Sequence, residues 1–230
     1  MKRDVMLLLV AAVLAAPAVS CAAVGCTLNN PARDLKMFFP EMTSYREDVK
    51  EMPKFPDGKE MYAALKARIG RDLDPVYETY NTPYSLYSVF KGEVRIGFVH
   101  GVNVPGIGGV IQIFISTDPA TGVIEKLSFQ RLESLGGKAL RTKETREQFV
   151  GLSMADFYKH DYYAVADPSN AADKVAAIKP PDTLPEAAKP DWEATLRGVR
   201  KNLILLDFFA FDRRHEPFYE RAEAAKKNAR

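Results

Sequence analysis

The chain reads as an α+β protein: an antiparallel sheet built of hairpins, flanked by helices, with a long helix near the C-terminus. Three observations predict this. Ser85–Phe90 and Val94–His100 are strand-like runs joined by Lys91-Gly92-Glu93, a short turn containing glycine. A second pair, Val110–Ser116 and Val123–Leu132, is joined by Asp118-Pro119-Ala120-Thr121-Gly122, where proline presets φ and glycine accepts a positive φ. From about Asp191 to Phe211 the period changes, and Leu196, Val199, Leu203 and Leu206 form one helical stripe.

The remaining elements follow in chain order. Pro31–Tyr45 reads as a short helix with Leu35, Phe38 and Phe39 on its apolar face, stopped near Pro40. Asp57–Ile69 is a second helix: Met61, Leu65 and Ile69 recur every four residues, and Gly70 stands where a helix ends on glycine. Gly106-Ile107-Gly108-Gly109 leads into the third strand run, and Glu133-Ser134-Leu135-Gly136-Gly137 breaks the sheet after the fourth. Lys143–Val150 is helical and ends at Gly151, and Ser153 with Asp156 forms a capping arrangement for another short helix. Ala164–Pro190, rich in Ala, Pro, Asp and Lys, is expected to run over the surface, and Phe218–Arg230 to be a solvated, charged end. No internal repeat and no second core is visible. The expected organisation is a leader or anchor over 1–26, one domain over 27–218 and a charged tail over 219–230.

Composition narrows the function. Hydrophobic residues make up 47% and charged residues 27%, the profile of a folded domain. Lys and Arg number 32 against 30 Asp and Glu, a balance that gives no reason to expect nucleic acid as a partner. The two cysteines, Cys21 and Cys26, lie at the N-terminal edge. The body therefore has no thiolates for an iron–sulfur cluster, an attached haem, a zinc site or a disulfide framework. His100, His160 and His215 are scattered, without the spacing of a metal site. No nucleophile elbow, zincin helix or cysteine nucleophile is present, and no catalytic residue is assigned.

The N-terminus reads as an export address. Lys2 and Arg3 precede the apolar run Val5–Leu14 and the small residues Ala15–Ala18. Three outcomes stand side by side. Cleavage after Ala18 releases a soluble protein. Cleavage before Cys21 or Cys26 gives a lipoprotein, since Ala18-Val19-Ser20-Cys21 and Ala23-Val24-Gly25-Cys26 both resemble a lipobox. An uncleaved Val5–Thr27 is long enough to span a bilayer. The expected location is periplasmic, or tethered to the outer face of a membrane as a lipoprotein.

The order of the pieces carries a resemblance. Tyr87–Phe98, with Ile96-Gly97-Phe98, is similar to a "Y-x-V … G-x-x-I-G-Y" hairpin. Gly106-Ile107-Gly108-Gly109-Val110-Ile111 resembles "G-Y-G-G-x-I", and Asp118 to Gly122-Val123-Ile124 resembles "D-x-x-G-x-I". Glu133-Ser134-Leu135-Gly136 stands for "E-T-P-G", Gln148-Phe149-Val150-Gly151 for "Q-F-x-G", and Leu35–Glu41 for the upstream "L-K-x-x-F-P". These motifs, in this order over Leu35–Gly151, resemble the periplasmic FMN-binding family. That family contains the FMN-carrying subunits of the Rnf complex and of the sodium-translocating NADH:quinone reductase. The resemblance implies a one-electron carrier with FMN as cofactor, and a membrane electron-transfer complex or redox protein as partner.

In the family, FMN is joined through its phosphate to a threonine within D-x-x-S-G-A-T-x-S/T. The counterpart here is Asp191-Trp192-Glu193-Ala194-Thr195-Leu196-Arg197. Ala194-Thr195 is kept, Trp192 and Glu193 replace Ser and Gly, and Arg197 replaces the last Ser/Thr. The resemblance thus implies Thr195 as attachment site, with Glu133, Ser134, Gly136, Gly108 and Gly109 along the flavin. Arg197, Arg200 and Lys201 offer phosphate donors within two turns. Against attachment, Glu193 brings negative charge and bulk beside a phosphate, where glycine allows close approach. Each residue also has a plainer role: Thr195 as a first-turn threonine, Gly108-Gly109 as a bulge, Glu133-Ser134 as a tight turn, Trp192 as packed core. Arg213-Arg214-His215 reads as a solvated patch or one facing a membrane. FMN held covalently, FMN held non-covalently and a flavin-free scaffold are the three readings.

Overall fold

The computed structural model describes residues 26–159 and 173–228. The leader, with Cys21, and part of the expected surface run after Ala164 lie outside the described residues. The element order is α1 (Pro31–Phe38), β1 (Ser44–Glu51), α2 (Gly58–Ile69), β2 (Pro83–Lys91), β3 (Val94–Gly106), β4 (Gly109–Thr117), β5 (Ile124–Leu132), α3 (Gly137–Leu140), α4 (Lys143–Glu147), α5 (Met154–Lys159), α6 (Lys189–Phe209) and α7 (Glu216–Asn228). The fold is α+β, as its sequence predicts.

The five strands form one antiparallel meander in the order β1-β2-β3-β4-β5. Both hairpins form where expected: Lys91 pairs with Val94 around Gly92, whose φ is +61°. The second turn is tied by Asp118, whose carboxylate accepts from the backbone N–H groups of Ala120 and Thr121. A third hairpin is tighter. Gly106 pairs with Gly109, leaving Ile107 and Gly108 as a two-residue turn with Gly108 at φ +78°.

Alternation along the central strands sends side chains to both faces of the sheet. On one face α6 lies across β3 and β4. Leu196, Val199, Leu203 and Leu206 are all buried there, in a cluster with Val104, Ile111, Ile113 and Ile115. Each such side chain stabilises the fold by about 2 kcal/mol. Gly198 lets the helix approach, since a methyl group there would lie 2.7 Å from Ile113 Cδ1. On the other face Leu35 and Phe38 of α1 pack with Phe39, Met42, Tyr87, Val89, Val99 and Phe114.

Two segments differ from the sequence reading. Ser44–Glu51 is an edge strand, although its charged sequence shows no apolar alternation. Its side chains are mostly exposed or half-buried, so its pairing rests on the backbone ladder with β2. Such charge is how edge strands resist pairing with other chains. The C-terminal stretch expected as a solvated tail is the helix α7. It docks through the Tyr219 hydroxyl, which donates to Ala67 O at 3.3 Å, and through the Tyr219 ring against Tyr158. No helix among the described residues is long and apolar enough to cross a membrane.

Candidate functional site

The two glycine-bearing loops and the start of α6 meet at one end of the sheet, and a single carboxylate joins them. Asp191, fully buried in the first turn of α6, accepts from Ile107 N through Oδ1 at 2.7 Å and from Gly136 N through Oδ2 at 2.7 Å. Leu135 N donates to Ile107 O at 2.9 Å, closing the arrangement. Two of the glycines are here because nothing larger fits. A methyl group at Gly106 would lie 2.6 Å from Ser134 Cβ and 2.9 Å from Asp191 Oδ1. One at Gly109 would lie 2.7 Å from Glu133 O. Gly108 faces open space.

Thr195 is 0% exposed, and its hydroxyl donates to Asp191 O at 2.8 Å, a turn back along the helix. Ala194 is buried beside it, and Trp192 packs its ring against Phe149 with centroids 5.9 Å apart. Arg197 points to the side of the helix, with Nε 3.3 Å from Asp72 Oδ1, and also reaches Glu193. Glu133 is engaged with Arg131 at 3.0 Å. Ser134 is buried, and its hydroxyl has no partner among the described residues. Lys201 lies on the buried side of α6, where it donates to Glu78 and Asn103 O. The structure thus brings Gly108, Gly109, Glu133, Ser134 and Gly136 to the first turn of α6. It turns Thr195 inward and Arg197 away toward Asp72.

Beside this junction lies a cleft of about 780 Å³, within the size range of small-molecule sites. Its walls include Tyr77, Gly106, Gly108, Gly109, Arg131 and Glu133, and its floor Asn103, Gln112, Glu78 and Lys201. The floor is polar and deeply set: Gln112, Glu78 and Lys201 are all buried, and Asn103 Oδ1 accepts no hydrogen bond among the described residues. Both lining cations are paired with lining carboxylates, Lys201 with Glu78 and Arg131 with Glu133, and the lining Asp72 is paired with Arg197 and Arg200 from α6. The charges around the cleft are thus largely matched in pairs.

Cys26 also belongs to this region. It is 3% exposed, bonded to the Gln112 side chain, and burial pushes its thiol up to about 12. It is a packed residue of the outer-face cluster, so modification of its sulfur would require the chain to leave that pocket. Sequence reasoning missed the Glu78–Lys201 pair, Asn103 and Gln112, because their signal lies in the tertiary arrangement. Among the described residues no group of three or more His, Cys, Asp or Glu side chains converges for a metal.

The fold and site together define an α+β domain whose loop end converges on a helix start. No protein-family model matches the chain, and no curated protein matches it. Among solved structures, the crystal structure of Shewanella oneidensis NqrC is similar, with a TM-score of 0.45 and 16% sequence identity. The match covers 88% of this chain and 93% of that one.

Proposed function

We propose that this chain is an exported accessory protein of the cell envelope that keeps the architecture of an FMN-binding domain as a flavin-free scaffold. The carrying observation is Thr195, the counterpart of the flavin-linked threonine: it is 0% exposed and its hydroxyl already donates to Asp191 O at 2.8 Å, so it is not presented to a phosphate. Glu193 supports the same reading, since it brings negative charge to a helix start where a flavin phosphate would draw on free backbone N–H groups and the positive end of the helix dipole. These features argue against a phosphate-linked flavin, so no electron-transfer step is assigned to Thr195. The resemblance implies a membrane electron-transfer complex as the assembly such a scaffold would serve.

Non-covalent FMN is the second reading, favoured by the volume of the cleft beside Gly108. One experiment separates the readings. The full chain is purified from a host that supplies the flavin-attaching enzyme, its flavin absorption is recorded, and FMN is then titrated in. We expect colourless protein and no uptake. Yellow protein whose colour stays with an acid pellet overturns the proposal in favour of covalent flavin. Colour released to the supernatant, or saturable uptake, overturns it in favour of bound FMN.

A further inference from the structure

We infer that the loop end carrying the cleft faces the bilayer, and that Ile107 and Leu135 seat in the lipid surface when the chain is tethered through its N-terminus. The inference rests on the reading of residues upstream of Cys26 as a membrane tether, whether lipid on Cys21 or an uncleaved span.

The first argument is where the tether meets the fold. The chain is fixed from Cys26 onward. Leu28 N donates to the Tyr87 hydroxyl and Asn29 N to Gln130 Oε1, both at 3.0 Å. Gln130 Nε2 donates to Thr27 O and to Gln112 Oε1, both at 3.2 Å. Gln112, which also bonds Cys26, lines the cleft with Gly108, Gly109 and Glu133. The five residue steps from Cys21 to Cys26 span at most about 18 Å when fully extended. A lipid on Cys21, or a span ending before Cys26, therefore holds this end of the molecule against the membrane.

The second argument is what that end presents. Nine large hydrophobic side chains are exposed among the described residues, and four of them gather here. Ile107 is 40% exposed at the β3–β4 turn, and Leu135, 53% exposed, is bonded to it through the backbone. Tyr77, 58% exposed, stands in the cleft wall, with Val76 beside it. Ile107 and Leu135 sit on a rigid base, because the backbone of Ile107 is pinned by Asp191. Apolar tips with a tyrosine at the same level suit the boundary between headgroups and acyl chains. The charges of the neighbouring cleft are matched in pairs, Glu133 with Arg131 and Asp72 with Arg197, so the contact is carried by the apolar tips rather than by a basic patch that would seek anionic lipid.

The test uses the full chain in vesicles of phosphatidylethanolamine with a minor share of phosphatidylglycerol. A nitroxide is placed in separate variants at Ile107→Cys, Leu135→Cys and Val94→Cys; Cys26 is too buried to compete for the label, and Cys21 is either blocked by its lipid or, in an uncleaved chain, changed to serine. Val94 begins β3, and Ile107 follows its last residue, about 40 Å away at strand rise. Labels at 107 and 135 are expected to favour collision with lipid-soluble oxygen over a water-soluble nickel complex at least several-fold more than the label at 94. A chain that floats with the vesicles while all three labels stay in water overturns this inference alone. A chain that fails to float overturns the tethered reading together with it. Neither result bears on the flavin spectrum, which tests the scaffold reading separately.

Discussion

His100 shows how one buried side chain makes the fold sensitive to acid. It is 1% exposed in the middle of β3, and its Nδ1 donates to Asn202 Oδ1 at 2.8 Å, which fixes the proton on that nitrogen. Asn202 in turn donates to His100 O and Ile113 O, so one amide from α6 holds two strands. Burial lowers the pKa of His100 from its ordinary 6.5 to about 4; the bond to Asn202 opposes the shift and the charge of Lys201 adds to it. In the unfolded chain the imidazole takes up its proton near 6.5, and in the folded chain only near 4. The unfolded state therefore binds more protons between those values, and stability falls as pH is lowered through that window. The loss is roughly 3 kcal/mol once both values are passed. Urea unfolding of the wild type is expected to show this slope. His100→Gln, which can still donate to Asn202, is expected to flatten the slope while lowering stability overall. An unchanged slope in the variant would assign the acid sensitivity to other groups.

At the scale of the element, the start of α6 is a junction. Asp191→Ala strips the buried Gly136 N–H and the part-buried Ile107 N–H of their acceptor and is expected to cost about 2–4 kcal/mol, read as a shift in the urea midpoint. Asp191→Asn is expected to cost nearly as much, because an amide offers one acceptor oxygen where both carboxylate oxygens now accept. Amide exchange at Ile107 and Gly136 should quicken in both variants, and unchanged protection there would argue against the junction. Such a role was only partly legible beforehand. The acid at a helix start was visible, but its partners lie 84 and 55 residues away in sequence. The hairpins were legible because alternation and glycine turns are local signals. β1 was silent because neither of its faces is fully buried, and α7 because its docking rests on a few side chains set among charges. Thr195 was singled out by motif, and its inward orientation follows from the helix phase that also buries Leu196 and Val199.

The whole molecule is held at its far side by a buried ionic network. Arg68 of α2 donates through Nη2 to Asp207 Oδ2 of α6 at 2.6 Å and through Nε to the Tyr158 hydroxyl of α5 at 2.8 Å. Asp207 Oδ1 accepts from His215 Nδ1 at 2.8 Å and from His215 N at 3.1 Å, which ties in the segment leading to α7. Burial pushes the Asp207 carboxyl up, but the bonds from His215 and Arg68 outweigh it and hold the group below its ordinary range. Arg213-Arg214-His215 is accordingly only in part a solvated patch, since His215 reaches inward. Breaking the pair from one side strands a charge. Arg68→Met is therefore expected to cost about 3–5 kcal/mol, and the double variant with Asp207→Leu less than the sum of the two single changes. Thermal unfolding of the four proteins measures this coupling, and strict additivity would show that Arg68 and Asp207 act independently.

The order of elements along the chain has a kinetic consequence. The meander is complete by Leu132, yet the helix that covers its inner face ends at Phe209. Until that last fifth of the sequence emerges, Ile113, Ile115 and Val104 lack the helix that buries them, and the apolar face they form stays open to water. A nascent chain of this design is expected to gain most of its stability late, when α6 closes over strands already made, so chains truncated before Lys189 should unfold at much lower urea than the full chain.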